Sequence, residues 1–272
     1  MQPKLKQLDG NYVEVFKMKK VTAFIGSARK KATYQAVQEF EKDLKKYGEI
    51  DFEYVFLHDH NLEFCRGCLT CLSYGEELCP LHDDRDILLE KMAHSDGVIF
   101  ASPTYAFQVS ARMKNFLDRL AFIYHRPRFF GKIYTAIVTQ GFMGGKDAQK
   151  YLEDIGQTFG FTVAKGCCLM TLDPMTENQQ KKLTEVINQT AARFYKELMH
   201  TSAPSPSLYR LMMYRMARTY IKSLDQKYRD YHYWKDNGWF ESDYYYVANL
   251  GPIKKTLGHF FDFLGRQRVK NG

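Results

Sequence analysis

Between residues 20 and 200, short apolar runs alternate with stretches whose apolar residues recur every three or four positions. That alternation predicts strands joined by helices, with helices covering both faces of a parallel sheet. Residues 20–25 read as a first strand ending at Gly26. Residues 33–46 read as a helix, because Ala36, Val37, Phe40 and Leu44 share one face and Gly48 supplies a stop. Residues 51–57 alternate as a second strand, and Asp83 or Asp84 can cap the next helix, which carries Ile87, Leu88 and Met92. Residues 97–101 are uninterruptedly apolar, as a central strand buried on both faces requires. Ser110 opens a helix through Ile123, and residues 133–139 form a fourth strand. A helix over 147–159, a fifth strand over 161–169 and a last helix over 177–198 complete the series. Five strands so connected predict a doubly wound parallel sheet in the order 2-1-3-4-5.

The pattern then changes. Residues 201–207 are Thr, Ser, Ala and Pro only, a linker between a domain over 1–200 and a mainly helical, aromatic-rich extension over 208–272. Pro252 suits the first turn of a helix on which Ile253, Leu257, Phe260, Phe261 and Leu264 share a face, flanked by Lys254, Lys255, Arg266, Arg268 and Lys270. Such a face buries against the core or a neighbouring subunit, and docking of that kind is the favoured expectation. A basic amphipathic helix can instead make peripheral contact with an anionic membrane surface.

Composition narrows the class. An apolar share of 45% and a charged share of 26% suit a globular chain. No run of about 18 apolar residues predicts a membrane span. Residues 1–20 lack the apolar core of a secretory leader, so a reducing cytoplasm is expected, where six cysteines serve metals or redox chemistry rather than disulfides. Net charge is +8, but residues 205–272 hold 12 Lys or Arg against 6 Asp or Glu. The basic excess therefore belongs to the extension, and no nucleic-acid partner is expected.

In a doubly wound sheet the ligand sits beyond the strand C-termini, at the switch point between strands one and three. The loop after the first strand offers Ser27, Arg29, Lys30, Lys31 and Thr33 leading into a helix: amides, two hydroxyls and three cations that can cradle a phosphate. A polar turn capped by Thr33 would use the same residues. Pro103, Thr104, Tyr105, Ala106 and Phe107 follow strand three as a stiff loop able to lie against a flat ring. Gln140, Gly141, Gly144 and Gly145 follow strand four, with glycines that admit close backbone approach. Neither a Gly-x-Gly-x-x-Gly nor a phosphate-loop sequence occurs, which argues against a tightly held dinucleotide or ATP. No Ser–His–Asp signature supports hydrolysis, and no general acid or base stands out.

Cys65-x-x-Cys68-x-x-Cys71 followed by Cys79-Pro80 gives four thiols in a short loop. Two-residue gaps let thiolates converge on one small centre, whether an iron–sulfur cluster or a tetrahedral zinc, and free thiols remain a third state. His58 and His60 suit a surface turn, and Cys167 and Cys168 in the fifth strand read as buried core.

From Val21 to Met170 the chain resembles the flavodoxin-like NAD(P)H-dependent FMN reductase family, especially its iron–sulfur flavoprotein branch. The residues that carry this are Gly26-Ser27-x-Arg29, Ser102-Pro103-x-Tyr105 and Lys114-x-Phe116-x-Asp118-Arg119, with the cysteine motif beside them. The family commonly has Pro where this chain has Ala28. The resemblance implies FMN phosphate on Ser27, Arg29 and Thr33, the flavin ring against 103–107 and 140–145, and a [4Fe–4S] cluster on Cys65, Cys68, Cys71 and Cys79. Lys114 and Arg119 are expected to stabilise their helix or a subunit contact. The expected activity is FMN-dependent electron transfer from NAD(P)H or a reduced protein carrier to a small-molecule or protein acceptor, in a homodimer or higher homo-oligomer. The alternative is an electron-transfer module without a specific small substrate, docked to a partner or membrane by its extension.

Overall fold

The computed structural model describes residues 4–8, 11–15, 18–172, 174–200 and 203–271. An antiparallel ribbon of β1 (Lys4–Leu8) and β2 (Asn11–Val15) comes first. Then follow β3 (Lys19–Ile25), α1 (Ala32–Lys45) and β4 (Ile50–Phe56). The cysteine loop carries α2 (Thr70–Ser73) and leads to α3 (Arg85–Ala93). β5 (Gly97–Tyr105), β6 (Gln108–Val109), α4 (Ala111–Arg119), β7 (Ile133–Gln140) and α5 (Gly145–Thr158) come next. β8 (Thr162–Val163), β9 (Cys167–Met170) and α6 (Glu177–Met199) close the sheet region.

The parallel strands lie in the order β4-β3-β5-β7, with β8 and β9 sharing the fifth position, which is the expected 2-1-3-4-5. The fifth strand is broken, not continuous as predicted. Val163 pairs with Tyr134 but Cys167 pairs with Ile137, so three residues oppose two on β7, a bulge with one extra residue. Apolar alternation explains the layers. Val21, Ala23 and Ile25 pack with α1 and α6, whereas Phe24 packs with α3, α4 and α5 on the other face. Phe24 and Phe116 stack at 5.4 Å between ring centres.

α4 ends at Arg119, four residues before the predicted Ile123, because the chain tightens into a 3₁₀ turn over Ala121–Tyr124. The Ser110 hydroxyl accepts from the Met113 N–H at 3.2 Å and donates to the Gly26 carbonyl at 2.8 Å, tying α4 to the end of β3. Ser110→Ala is therefore expected to lower stability by about 1–2 kcal/mol in urea unfolding, since it removes a cap and leaves a buried carbonyl without its donor.

The extension has its own core. α7 (Leu208–Lys222), α8 (Arg229–Asp236) and α9 (Gly251–Asn271) surround Leu211, Tyr214, Trp234, Trp239 and Tyr244, against which Phe130 of the sheet domain packs. Tyr214 and Trp234 stack at 5.7 Å. The expected apolar face of α9 is not the one that packs. Leu257 and Phe261 are half-buried, but Ile253, Phe260 and Leu264 stay exposed. α9 meets α7 instead through Gly258, which touches Arg215, through Gly265, which touches Thr219, and through Asp262, which pairs with Arg215 and Arg218. Glycines allow the close approach, and two ion pairs then set the helix rotation.

Candidate functional site

The switch point forms first. β3 and β5 run side by side, with α1 and α4 leaving from their C-terminal ends. Lys31 precedes α1 without capping it through its side chain, and the first turn holds no acidic residue, so the leading amides have no partner from the helix. Arg29 and Lys31 stand exposed beside them. Amide donors, a positive helix end and two cations favour an anion there.

These residues line a cavity of about 1010 Å³. Ser27, Arg29, Lys31, Thr33, Pro103, Thr104, Tyr105, Gln140 and Gly141 all contribute to its wall. The Thr33 hydroxyl is bonded to Thr139 Oγ1 at 2.7 Å, and the Ser27 hydroxyl donates to the Arg29 carbonyl at 3.1 Å, so both loops are braced from within. Thr104 Oγ1 is buried in the wall and has no partner among the described residues. A buried hydroxyl left open costs free energy unless something else meets it, so it fits a ring that offers hydrogen-bonding atoms along its edge. Gln140 is held by its Oε1, which accepts from the Gly145 N–H at 2.8 Å.

Four residues expected at the site do not line this cavity. Ala106 and Phe107 form the two-residue tip of a hairpin between β5 and β6, with φ of 46° and 64°. Both therefore adopt the left-handed conformation that such tight turns need, without the Asn-Gly that signals it in sequence. Gly144 has φ of 86° and lies against Phe107, where a Cβ would meet Phe107 Cα at 2.8 Å. Gly145 is buried against Gln140 and Cys168. Conversely Gln35, Glu39, Thr139, Thr171, Leu172, Met175, Gln180, Leu183 and Thr184 line the cavity and were not expected. Thr139, the last predicted residue of its strand, could have been found by position alone. The α1 and α6 residues could not, because their helix register against the sheet is a tertiary fact.

The cysteine loop makes a second site. Cys65, Cys68, Cys71 and Cys79 line one small cavity of about 30 Å³ together with Arg85, Asp118 and Arg119. Among the described residues, no three His, Cys, Asp or Glu side chains are set to hold a single metal ion. Asn115 of α4 binds the Leu62 and Glu63 carbonyls at 3.0 and 3.2 Å, and Arg119 binds the Glu63 carbonyl at 3.1 Å. Arg119 Nη2 lies 3.9 Å from the Cys79 sulfur. Lys114 pairs along its own helix with Asp118 at 2.5 Å.

Neither aspartate at the start of α3 caps it in the expected way. Asp84 occupies the cap position with no cap bond, and accepts from the Asn61 N–H at 2.9 Å instead. Asp83 forms a fully buried ion pair with Arg119. Burial opposes charge on Asp83, but hydrogen bonds from Arg119 and from the Glu63 and Arg85 amides outweigh it and hold the carboxyl below its ordinary range.

The thiols differ. A hydrogen bond with Thr70, helped by Arg66, pulls the exposed Cys68 thiol down. Burial and the neighbouring Cys79 push Cys71 up, against the pull of Arg126. Four thiols lining one cavity, three of them near arginines, match the donor chemistry of an anionic metal–sulfur centre, although their placement does not form the ligand set of a single ion. Cys167 is buried as expected, its thiol pushed up to about 12 by burial, whereas Cys168 is only half-buried.

Comparison with known proteins gives a consistent result. A family model described as NADPH-dependent FMN reductase matches residues 19–172. An iron–sulfur flavoprotein of Archaeoglobus fulgidus is 29% identical over 231 residues, 80% of this chain and 99% of its own. One from Methanocaldococcus jannaschii is 39% identical over 101 residues, 37% of this chain and 51% of its own. Among solved structures, an azoreductase from Bacillus anthracis superposes with a TM-score of 0.52 at 14% identity, covering 66% of this chain and 100% of that one. At that identity the likeness is one of fold.

Proposed function

The chain belongs to the NADPH-dependent FMN reductase family, and from that premise we propose that NADPH, NADH or a reduced protein carrier delivers electrons to FMN held at the sheet edge. The protein is a flavin-dependent oxidoreductase, and FMN, when bound, supplies the redox chemistry itself. The observation that carries the reading is the single cavity where the uncapped start of α1, Arg29 and Lys31 meet the 103–105 and 140–141 loops. The α1 amides with Arg29 and Lys31 would hold the phosphate of FMN. Thr104 and the loop backbones would offer hydrogen-bonding groups to its ring, beside the wall that Gln140 braces.

Cys65, Cys68, Cys71 and Cys79 would hold a [4Fe–4S] cluster, a reading supported by their shared cavity and by the named relatives. Iron and acid-labile sulfide in anaerobically prepared protein test this, and an iron-free, zinc-loaded protein would replace it. The test of the activity is anaerobic titration with NADH and NADPH. Bleaching of bound flavin by either nucleotide supports the reductase. Flavin reduced by a ferredoxin-type carrier but inert to both nucleotides favours the electron-transfer module.

The exposure of α9 favours a second reading, of location. Ile253 is 74% and Phe260 53% exposed, and Lys255, Arg268 and Lys270 are exposed on the same helix. No helix among the described residues is long and apolar enough to cross a membrane. The face suits an anionic lipid surface better than a second copy of itself, because pairing two copies would bring like charges together. The full chain is expected to float with vesicles containing phosphatidylserine but not with pure phosphatidylcholine, and Phe260→Asp is expected to abolish this.

A further inference from the structure

We propose that Asp230, in the C-terminal extension, is a positioning residue for the four-cysteine centre, acting through Arg126 on the backbone at Cys71. This rests on the reading of those cysteines as a centre, but the geometry is independent of what the centre holds. Arg126 is fully buried. Its Nη2 donates to the Cys71 carbonyl at 2.5 Å and to Glu76 Oε2 at 2.9 Å, while Nη1 donates to Asp230 and reaches the Leu72 carbonyl at 3.4 Å. A buried guanidinium needs carboxylates to neutralise it. Glu76 is one, shared with Arg128 at 2.8 Å, and Asp230 is the other.

Asp230 is held in turn. His125 Nδ1 lies 2.6 Å from its second oxygen, and Trp234 of the same helix donates to the His125 carbonyl at 2.8 Å. The order of support therefore runs from α8 through Asp230 and Arg126 to the peptide carbonyl of Cys71. The loop needs such support. Leu69 at the start of α2 has φ of 59°, a left-handed conformation that a leucine keeps only when its surroundings impose it. The extension's other buried carboxylate–guanidinium pair, Arg215 with Asp262, lies within the extension itself, whereas the Asp230–Arg126 pair reaches out to the cysteine backbone.

The experiment compares the full-length protein with Asp230→Asn and with the conservative Asp230→Glu, using circular dichroism and FMN content to confirm folding. After chelation and reduction, alkylation of each cysteine by iodoacetamide is followed by mass spectrometry. Asp230→Asn is expected to raise the rate at half-buried Cys71 several-fold while leaving exposed Cys65 and Cys68 unchanged, and Asp230→Glu is expected to restore it. In protein reconstituted with iron and sulfide, the midpoint potential of the centre is expected to move positive in Asp230→Asn, because Arg126 loses one of its two carboxylates. An unchanged Cys71 rate in a folded Asp230→Asn protein overturns the proposal. If the wild type binds no iron but the Cys71 rate rises as stated, the positioning stands and the cluster assignment falls. Should the variant not fold, hydrogen exchange of the wild type decides. The proposal requires the amides of 72–74 to open together with those of α8, and free exchange of 72–74 under a protected α8 would contradict it.

Discussion

Asp83→Asn is expected to destabilise the protein by about 3–5 kcal/mol, because it leaves the Arg119 guanidinium buried without its counter-charge. Both side chains are essentially inaccessible, and Arg119 has no second carboxylate among the described residues. Urea unfolding monitored by tryptophan fluorescence and far-ultraviolet circular dichroism measures the loss. The sign of the pH dependence follows from the depressed Asp83 carboxyl. Its contribution is fully present above the unfolded value of about 3.9 and disappears as pH falls through the lower folded value. Glu76 adds in the same direction. Burial opposes its charge, but Arg128, its own backbone hydrogen bond and Arg126 hold its carboxyl down. Wild type should therefore lose stability steeply below about pH 4, and Asp83→Asn should show a shallower acid slope. Equal acid slopes in the two proteins would mean that Asp83 is not the charged partner of Arg119.

The second large effect concerns the flavin. Arg29→Ala should weaken FMN binding by about 10–100-fold, the equivalent of one charge-assisted hydrogen bond of roughly 1.5–3 kcal/mol. Arg29 is exposed, and its guanidinium pairs with no carboxylate among the described residues, so its removal should not disturb folding. Riboflavin, which lacks the phosphate, serves as the internal control: its affinity should be the same for both proteins. A parallel loss of riboflavin affinity would mean that Arg29 supports the loop and not the anion.

How much of this could be read from the chain depended on the range of the interaction involved. The strands β3, β5 and β7 were legible because a strand buried on both faces must be continuously apolar. α1 was legible because its buried residues repeat with the helical period. Ser27, Arg29, Lys31 and Thr33 followed from position alone, since the switch point of such a sheet lies at fixed strand ends. The hairpin tip at Ala106 and Phe107 was not legible, because its turn chemistry is unusual and it is held by the β5–β6 pairing and by packing against Gly144. The bulge in the fifth strand and the rotation of α9 depend on contacts with β7 and α7. Apolar spacing suggested the wrong face of α9 because it gives no weight to glycine contacts or to Asp262. The Arg126–Asp230 link joins residues 104 positions apart, and nothing local marks either one as a partner of the cysteine loop.

Titration calorimetry of wild-type apoprotein with FMN, with riboflavin and with FMN in the presence of inorganic phosphate tests the anion cradle most directly. FMN should bind at least about 100-fold more tightly than riboflavin, as several charge-assisted contacts to one phosphate require, and inorganic phosphate should compete. Equal affinities for FMN and riboflavin, with no effect of phosphate, would contradict the account.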